Sequence, residues 1–279
     1  MKLKLMVVVC LVGLVSGCSV KFAYNNVDRF VRWQVSDYAD LDREQRKILD
    51  AGVREVWVWH RKTHLPLYAD YLEEFAVRAS DEVTPDMLSG LIDQFLVWGT
   101  EVQDRSLPTA VAVISSLTDE QVAGLPEKLT ESNDELLEGE REGSVEDFQA
   151  NWAEEVIDQL EQFTGKLQRP QKQYVVRQSS RYQPERALWV EYRERWQKQL
   201  MIELETREAP DFAQRFGELV NSRESYYSAE YVQVSTANQV LGADVAAHVL
   251  SNLNEKQAER FQNRLLQLSK DFKELSVQL

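Results

Sequence analysis

Apolar positions along this chain recur every three or four residues, the spacing of an amphipathic helix. Phe22, Val27, Phe30, Val31, Val35 and Tyr38 predict a short first helix. Ile48, Leu49, Val53, Val56, Trp57, His60 and His64 form the next stripe. Pro66 is expected to kink or break that helix near Thr63. A further segment from Leu67 to Ala79 has Tyr68, Tyr71, Leu72 and Phe75 in register. Thr84 followed by Pro85 is a helix start. "LPTAVAVISS" reads as a short apolar segment of its own. Thr118 opens another helix, which Pro126 should disturb. Ser144 starts one that ends near Gly165, and Pro170 and Pro184 bracket the next segment. Leu188, Trp189, Tyr192, Trp196 and Leu200 share a face of a long helix. Three more helices are expected from Ala209 onward, the last starting at Asn254.

Strand signals are weak. "YVQVST" at 231–236 is the nearest to alternation, and its neighbours favour helix. The expected fold is all-α, a multi-helix bundle of long amphipathic helices. It allows a division into two pseudo-repeated halves, 18–142 and 143–279.

Composition supports a packed core, with 43% hydrophobic residues, while only 11 Gly and 7 Pro argue for long elements over many turns. The formal net charge of −14 excludes nucleic acid as an expected partner, because an acidic chain is repelled by the phosphate backbone.

The N-terminus carries its own message. "MKLKLMVVVCLVGLVSGCS" has two lysines, then an apolar run from Leu5 to Val15, then small residues. These are the regions of a secretory signal, too short to span a bilayer. The ending resembles the bacterial lipobox, with Val15, Ser16 and Gly17 before Cys18. The resemblance implies cleavage after residue 17 and acylation of Cys18, palmitate among the acyl chains. Several acyl chains give durable anchoring without a transmembrane helix. Under the enteric sorting rule that the resemblance brings, Ser19 after the cysteine implies the inner leaflet of the outer membrane of a Gram-negative cell, facing the periplasm. Cys10 would leave with the signal and Cys18 would be consumed, so no thiol remains for a disulfide or a thiolate metal site.

A pentapeptide pattern repeats. It is "LDREQ" at 41–45, "LTDEQ" at 117–121, "LQRPQ" at 167–171 and "LNEKQ" at 253–257. In "LTDEQ", Thr118 is an N-cap and Gln121 can return a bond to its amide, which is a capping box. Leu117 can staple onto Val122. Asp42 with Gln45, and Asn254 with Gln257, fit the same box. Gln168 is a poor cap for the copy ending at Gln171. The staple is lost there and in two others, where Arg46, Lys172 and Ala258 replace Val122.

The leucine–threonine–glutamine pattern resembles the LTxxQ signature of the Spy/CpxP family of periplasmic helical proteins, which bind unfolded proteins or sense envelope stress. Leu117, Thr118 and Gln121 match it fully. Leu41/Gln45 and Leu253/Gln257 match with Asp42 and Asn254 in place of Thr, and Leu167/Gln171 match at the ends. Four copies suggest a fused pseudo-dimer. "YNN", "YADLDREQ", "WHRKTHLPLYADYL" and "WVEYRERWQ" also look like an uncharacterised family of Gram-negative lipoproteins. That resemblance implies location and fold, not an activity.

No signature of catalysis accompanies these features. His60 and His64 stand i,i+4, a spacing able to bind metal, but Arg61 stands where a metalloprotease has Glu, and cations crowd the same turns. The expectation is that both rings pack at Pro66, their nitrogens capping freed carbonyls. No GxSxG, Walker A or GxGxxG motif occurs. The pairs Glu73/Glu74 and Glu154/Glu155 read as a solvated face. Trp57, Trp59, Trp98, Trp152, Trp189 and Trp196 are expected to be core, with one of Trp57 and Trp59 exposed for contact. "SYYSAEY", with Tyr226, Tyr227 and Tyr231, is a second candidate surface.

The expected function is therefore a lipid-anchored periplasmic protein, not an enzyme, with no cofactor and no metal. Its partners are the membrane, through the lipid, and other envelope proteins, in a chaperone-like or stress-related role. A docking subunit of an envelope assembly, or a cell-wall or lipid hydrolase, are the alternatives. Composition does not reveal the oligomeric state.

Overall fold

The computed structural model describes residues 17–138 and 143–278, with side chains from Val20 onward. Eleven α-helices occur there, and no strand. In chain order they are α1 (Gly17–Asn25), α2 (Val27–Ser36), α3 (Arg43–Ala79), α4 (Pro85–Ser115), α5 (Asp119–Glu138) and α6 (Val145–Thr164). Then follow α7 (Arg169–Gln178), α8 (Arg186–Leu204), α9 (Phe212–Asn221), α10 (Ala229–Ser251) and α11 (Glu255–Ser276). The signal segment, with Val15 and Ser16, lies outside the described residues. Gly17 and Cys18 open α1.

Local chemistry sets the starts. Asp42 accepts from the Gln45 amide at 2.9 Å, Thr84 from Met87 at 3.2 Å, Ser144 from Asp147 at 3.2 Å and Asn254 from Gln257 at 2.9 Å. Each such cap contributes about 1 kcal/mol. Gly165 ends α6 with φ of 75°, and a Cβ there would stand 3.0 Å from the Arg260 side chain.

The prolines behave differently from expectation. α3 runs unbroken through Pro66, and α5 through Pro126. "LPTAVAVISS" is no separate segment, because α4 continues through Pro108. An interior proline costs about 3 kcal/mol in a helix. Beyond Pro66, however, Ala69, Leu72, Phe75 and Ala76 are all buried in one cluster with α11. Burying one large apolar side chain contributes about 1.5–3 kcal/mol, so the buried face outweighs the lost bond.

Three apolar clusters run through the bundle. The first joins Leu65, Leu72 and Phe75 of α3 to Phe261, Leu268 and Leu275 of α11. The second gathers Leu41, Leu49, Val113, Leu117, Leu204 and Phe212. The third joins α6, α7 and α10 through Leu160, Val175 and Val245. The first two clusters draw on both sides of the 142/143 division, so the two halves share cores. α11 lies antiparallel to α3: Arg61 donates to the Leu275 carbonyl at 3.0 Å, while Glu73 accepts from Ser269 at 2.8 Å.

The first helix also departs from expectation. It is two helices, broken at Asn26. Val20, Val31 and Val35 face the body, whereas Phe22 and Phe30 are exposed.

Candidate functional site

The repeated motifs are brought together in two pairs. Gln45 Nε2 donates to Gln121 Oε1 at 2.9 Å, and Gln121 Nε2 donates to Gln45 Oε1 at 2.9 Å. Each oxygen also accepts from its own cap amide, Asp42 or Thr118, at 2.8 Å. Each nitrogen reaches across to the carbonyl before the partner's leucine: Gln45 to Ser116 at 2.7 Å, and Gln121 to Asp40 at 2.6 Å.

The other pair repeats this bond for bond. Gln171 and Gln257 exchange amide bonds at 3.3 and 3.0 Å. Gln171 reaches the Asn252 carbonyl at 2.9 Å, and Gln257 the Lys166 carbonyl at 3.0 Å. Gln168 and Asn254 donate their amides to these oxygens at 2.7 and 3.1 Å. Leu41, Leu117 and Leu167 are buried beneath, and Leu253 is half-buried. One clasp joins the starts of α3 and α5, the other the starts of α7 and α11. Because α3 and α11 are antiparallel, the clasps sit at opposite ends of that pair. The four glutamine amides are consumed internally, so the motif holds the fold.

The histidines are also inward. His60 bonds Tyr24 Oη at 2.9 Å and Tyr68 Oη at 3.0 Å, and its ring stacks on His64 at 5.2 Å. Burial, aided by the neighbouring His64 ring, pushes the His60 imidazole down to about 3. His64 meets Glu101 at 3.0 Å. Neither ring caps a carbonyl at Pro66, because Tyr24, Tyr68, Thr63 and Glu101 reach the nitrogens instead. Among the described residues, no group of three or more His, Cys, Asp or Glu is placed to hold a metal ion.

Glu154 and Glu155 are exposed, as is Glu74. Glu73 is tied to Lys273 at 2.7 Å. Neither Trp57 nor Trp59 is exposed: the Arg61 guanidinium covers Trp57 at 4.3 Å, and Trp59 packs on His64 at 4.4 Å. Trp98 is buried. Trp152 stacks on Tyr182, Trp189 packs at a tilt on Tyr192, and Trp196 donates to the Leu219 carbonyl at 3.2 Å. Tyr227 and Tyr231 pack with Tyr192, whose hydroxyl burial pushes up to about 12. The exposed tryptophan is Trp33.

What the sequence reading passed over is a charge window. Residues 166–181 contain Lys166, Arg169, Lys172, Arg177 and Arg181 and no Asp or Glu, in a chain of net charge −14. A sliding charge count would have found it. In the fold, Lys166 just before α7 and Arg169, Lys172 and Arg177 on it line one open groove of about 690 Å³, together with Leu167, Gln173 and Val176. Val176 is 56% exposed between the cations. Lys172 pairs with Glu161 at 2.6 Å. Partial burial pushes the Glu161 carboxyl up, but Lys172 and the Leu167 amide outweigh it and hold it below the ordinary carboxylate range. A second open groove, of about 770 Å³ along α5, is acidic, with Glu127, Glu131, Asp134, Glu135 and Glu138.

A family model described as "Family of unknown function (DUF6279)" matches residues 37–232. The chain belongs to this family. The match takes in the clasp of Gln45 with Gln121 and all of α7, and ends before the motif at 253–257. No curated protein and no solved structure matches the chain. No described helix is long and apolar enough to cross a membrane.

Proposed function

We propose that this member of the DUF6279 family is a lipid-anchored envelope protein that binds other polypeptides in a chaperone-like role. The basic groove on α7 carries the reading. It is open rather than deep, which suits a chain segment better than an enclosed small molecule. Lys166, Arg169 and Arg177 offer charge to acidic side chains, and exposed Val176 offers apolar contact among them. Charge complementarity of this kind speeds encounter and selects partners. The motif resemblance to Spy/CpxP proteins points the same way. The run from Leu5 to Val15 followed by Cys18 supports a lipid anchor, and Ser19 after the cysteine supports the outer membrane on the periplasmic side.

The test uses the full chain in detergent. Chemically denatured acidic and basic client proteins are diluted into buffer, and aggregation is followed by light scattering. Suppression for the acidic client, lost in Arg169→Glu/Arg177→Glu, supports the reading. Suppression unchanged by the charge reversal removes the groove from it. No suppression of any client overturns the chaperone-like role and leaves the docking subunit as the better account.

A further inference from the structure

We propose that α1 and α2 lie on the lipid surface, with Phe22, Phe30 and Trp33 seated at the headgroup–acyl boundary. The inference rests on the anchored reading above and adds an orientation to it. Phe22 is 71% exposed, Phe30 41% and Trp33 58%. The Phe30 and Trp33 rings touch at 5.8 Å. Phe30 and Trp33 stand three apart on α2, Phe22 lies on α1 four residues before the break at Asn26, and Val20, Tyr24, Val31 and Val35 turn into the body. Sequence length also matters, because Cys18 precedes Phe22 by one turn, about 6 Å of helix rise. The acyl chains implied at Cys18 would therefore enter the bilayer beside Phe22.

The chemistry of the stripe fits that occupant. Trp favours the interfacial layer, where an apolar ring body meets a wet edge. Arg29, exposed one turn before Trp33, can snorkel toward phosphates. The pair of helices is not a loose tether. Lys21 binds Asp271 at 2.9 Å and also Glu274, Tyr24 binds His60 at 2.9 Å, and Asn25 accepts from Arg61 at 2.7 Å. These four contacts to α3 and α11 fix α1 to the body, so a seated stripe fixes how the whole bundle stands on the leaflet.

The experiment places the full chain in phospholipid vesicles containing lipids brominated near the headgroup. Tryptophan fluorescence is compared with that of Trp33→Phe, and mass spectrometry reads acylation at Cys18. A quenched component in the wild type that is absent from Trp33→Phe is the expected result, and Phe22→Ser/Phe30→Ser should reduce it. Equal quenching in the wild type and Trp33→Phe overturns the proposal. The same result, accompanied by dimers in sedimentation, would assign the stripe to a second copy. An unacylated Cys18 overturns the anchoring reading instead, and unacylated protein added to the same vesicles still decides the position of Trp33. Circular dichroism confirms that each variant folds.

Discussion

Gln45 and Gln121 stand 76 residues apart and donate to each other's side-chain oxygen at 2.9 Å in both directions. Gln45 is 2% exposed. Its replacement leaves the Asp42 amide, the Ser116 carbonyl and the Gln121 side chain each short of a partner. Gln45→Ala should therefore destabilise the protein by about 2 kcal/mol. Gln45→Ala/Gln121→Ala should cost clearly less than the sum of the single changes, because both remove one shared network. Urea denaturation of the three variants measures this. Strict additivity would show that the two amides act independently.

Gly52 of α3 packs directly against Thr109 of α4. A Cβ built there would collide with the Thr109 side chain, whereas at Gly90 and Gly124 nothing lies within 4 Å. Gly52→Ala should destabilise by about 1–3 kcal/mol through overpacking. Gly90→Ala and Gly124→Ala should instead stabilise by about 0.5–1 kcal/mol, since alanine loses less backbone entropy in a helix. Thermal melts of the three variants should move in these opposite directions.

His60 makes the fold acid-sensitive. Its folded pKa, lowered to about 3 by burial and then by His64, lies below the ordinary imidazole value of 6.5. The unfolded chain takes up the proton first as pH falls. The stability tied to neutral His60 is thus complete above pH 6.5 and is lost progressively from there toward pH 3. The slope approaches about 1.4 kcal/mol per pH unit for one such group. Tyr24, Tyr68 and His64 surround the ring, and the Arg61 guanidinium lies over Tyr24 behind it. His60→Gln should be less stable at pH 7.5 and flatter between pH 6.5 and 4.5 when unfolding free energies are compared across pH. An unchanged slope would remove His60 as its source.

Arg61 closes the C-terminal end of α11. It is 4% exposed and donates to the Leu275 carbonyl at 3.0 Å, the Gln278 carbonyl at 3.1 Å and Asn25 at 2.7 Å. A cation at a helix C-terminus also answers the helix dipole. Arg61→Met should cost about 2–3 kcal/mol, because these acceptors lose a charged donor. Hydrogen exchange should quicken in α1 and in the last turn of α11 before it does in α5. Equal protection in all three regions would contradict this coupling.

Helix class and most helix starts were readable from residues a few positions apart. Asp42, Thr84, Thr118, Ser144 and Asn254 cap helices as their local sequence predicts, because a cap is satisfied within its own first turn. The repeated pentapeptide was legible as a capping device for the same reason. Its second task was not, since Gln45 finds Gln121, and Gln171 finds Gln257, only after the intervening helices have packed. Pro66 likewise reads as a break locally. The helix survives because α11, nearly two hundred residues later in the chain, buries the turns beyond it. Periodicity marked Phe22 and Phe30 as apolar, but two stripes compete on α1 and α2, and contact with α3 and α11 selected the valines for the interior. The helical architecture followed from nearest-turn chemistry. The clasps, the exposed aromatic stripe and the basic groove followed from burial, which depends on which distant helix arrives at each face.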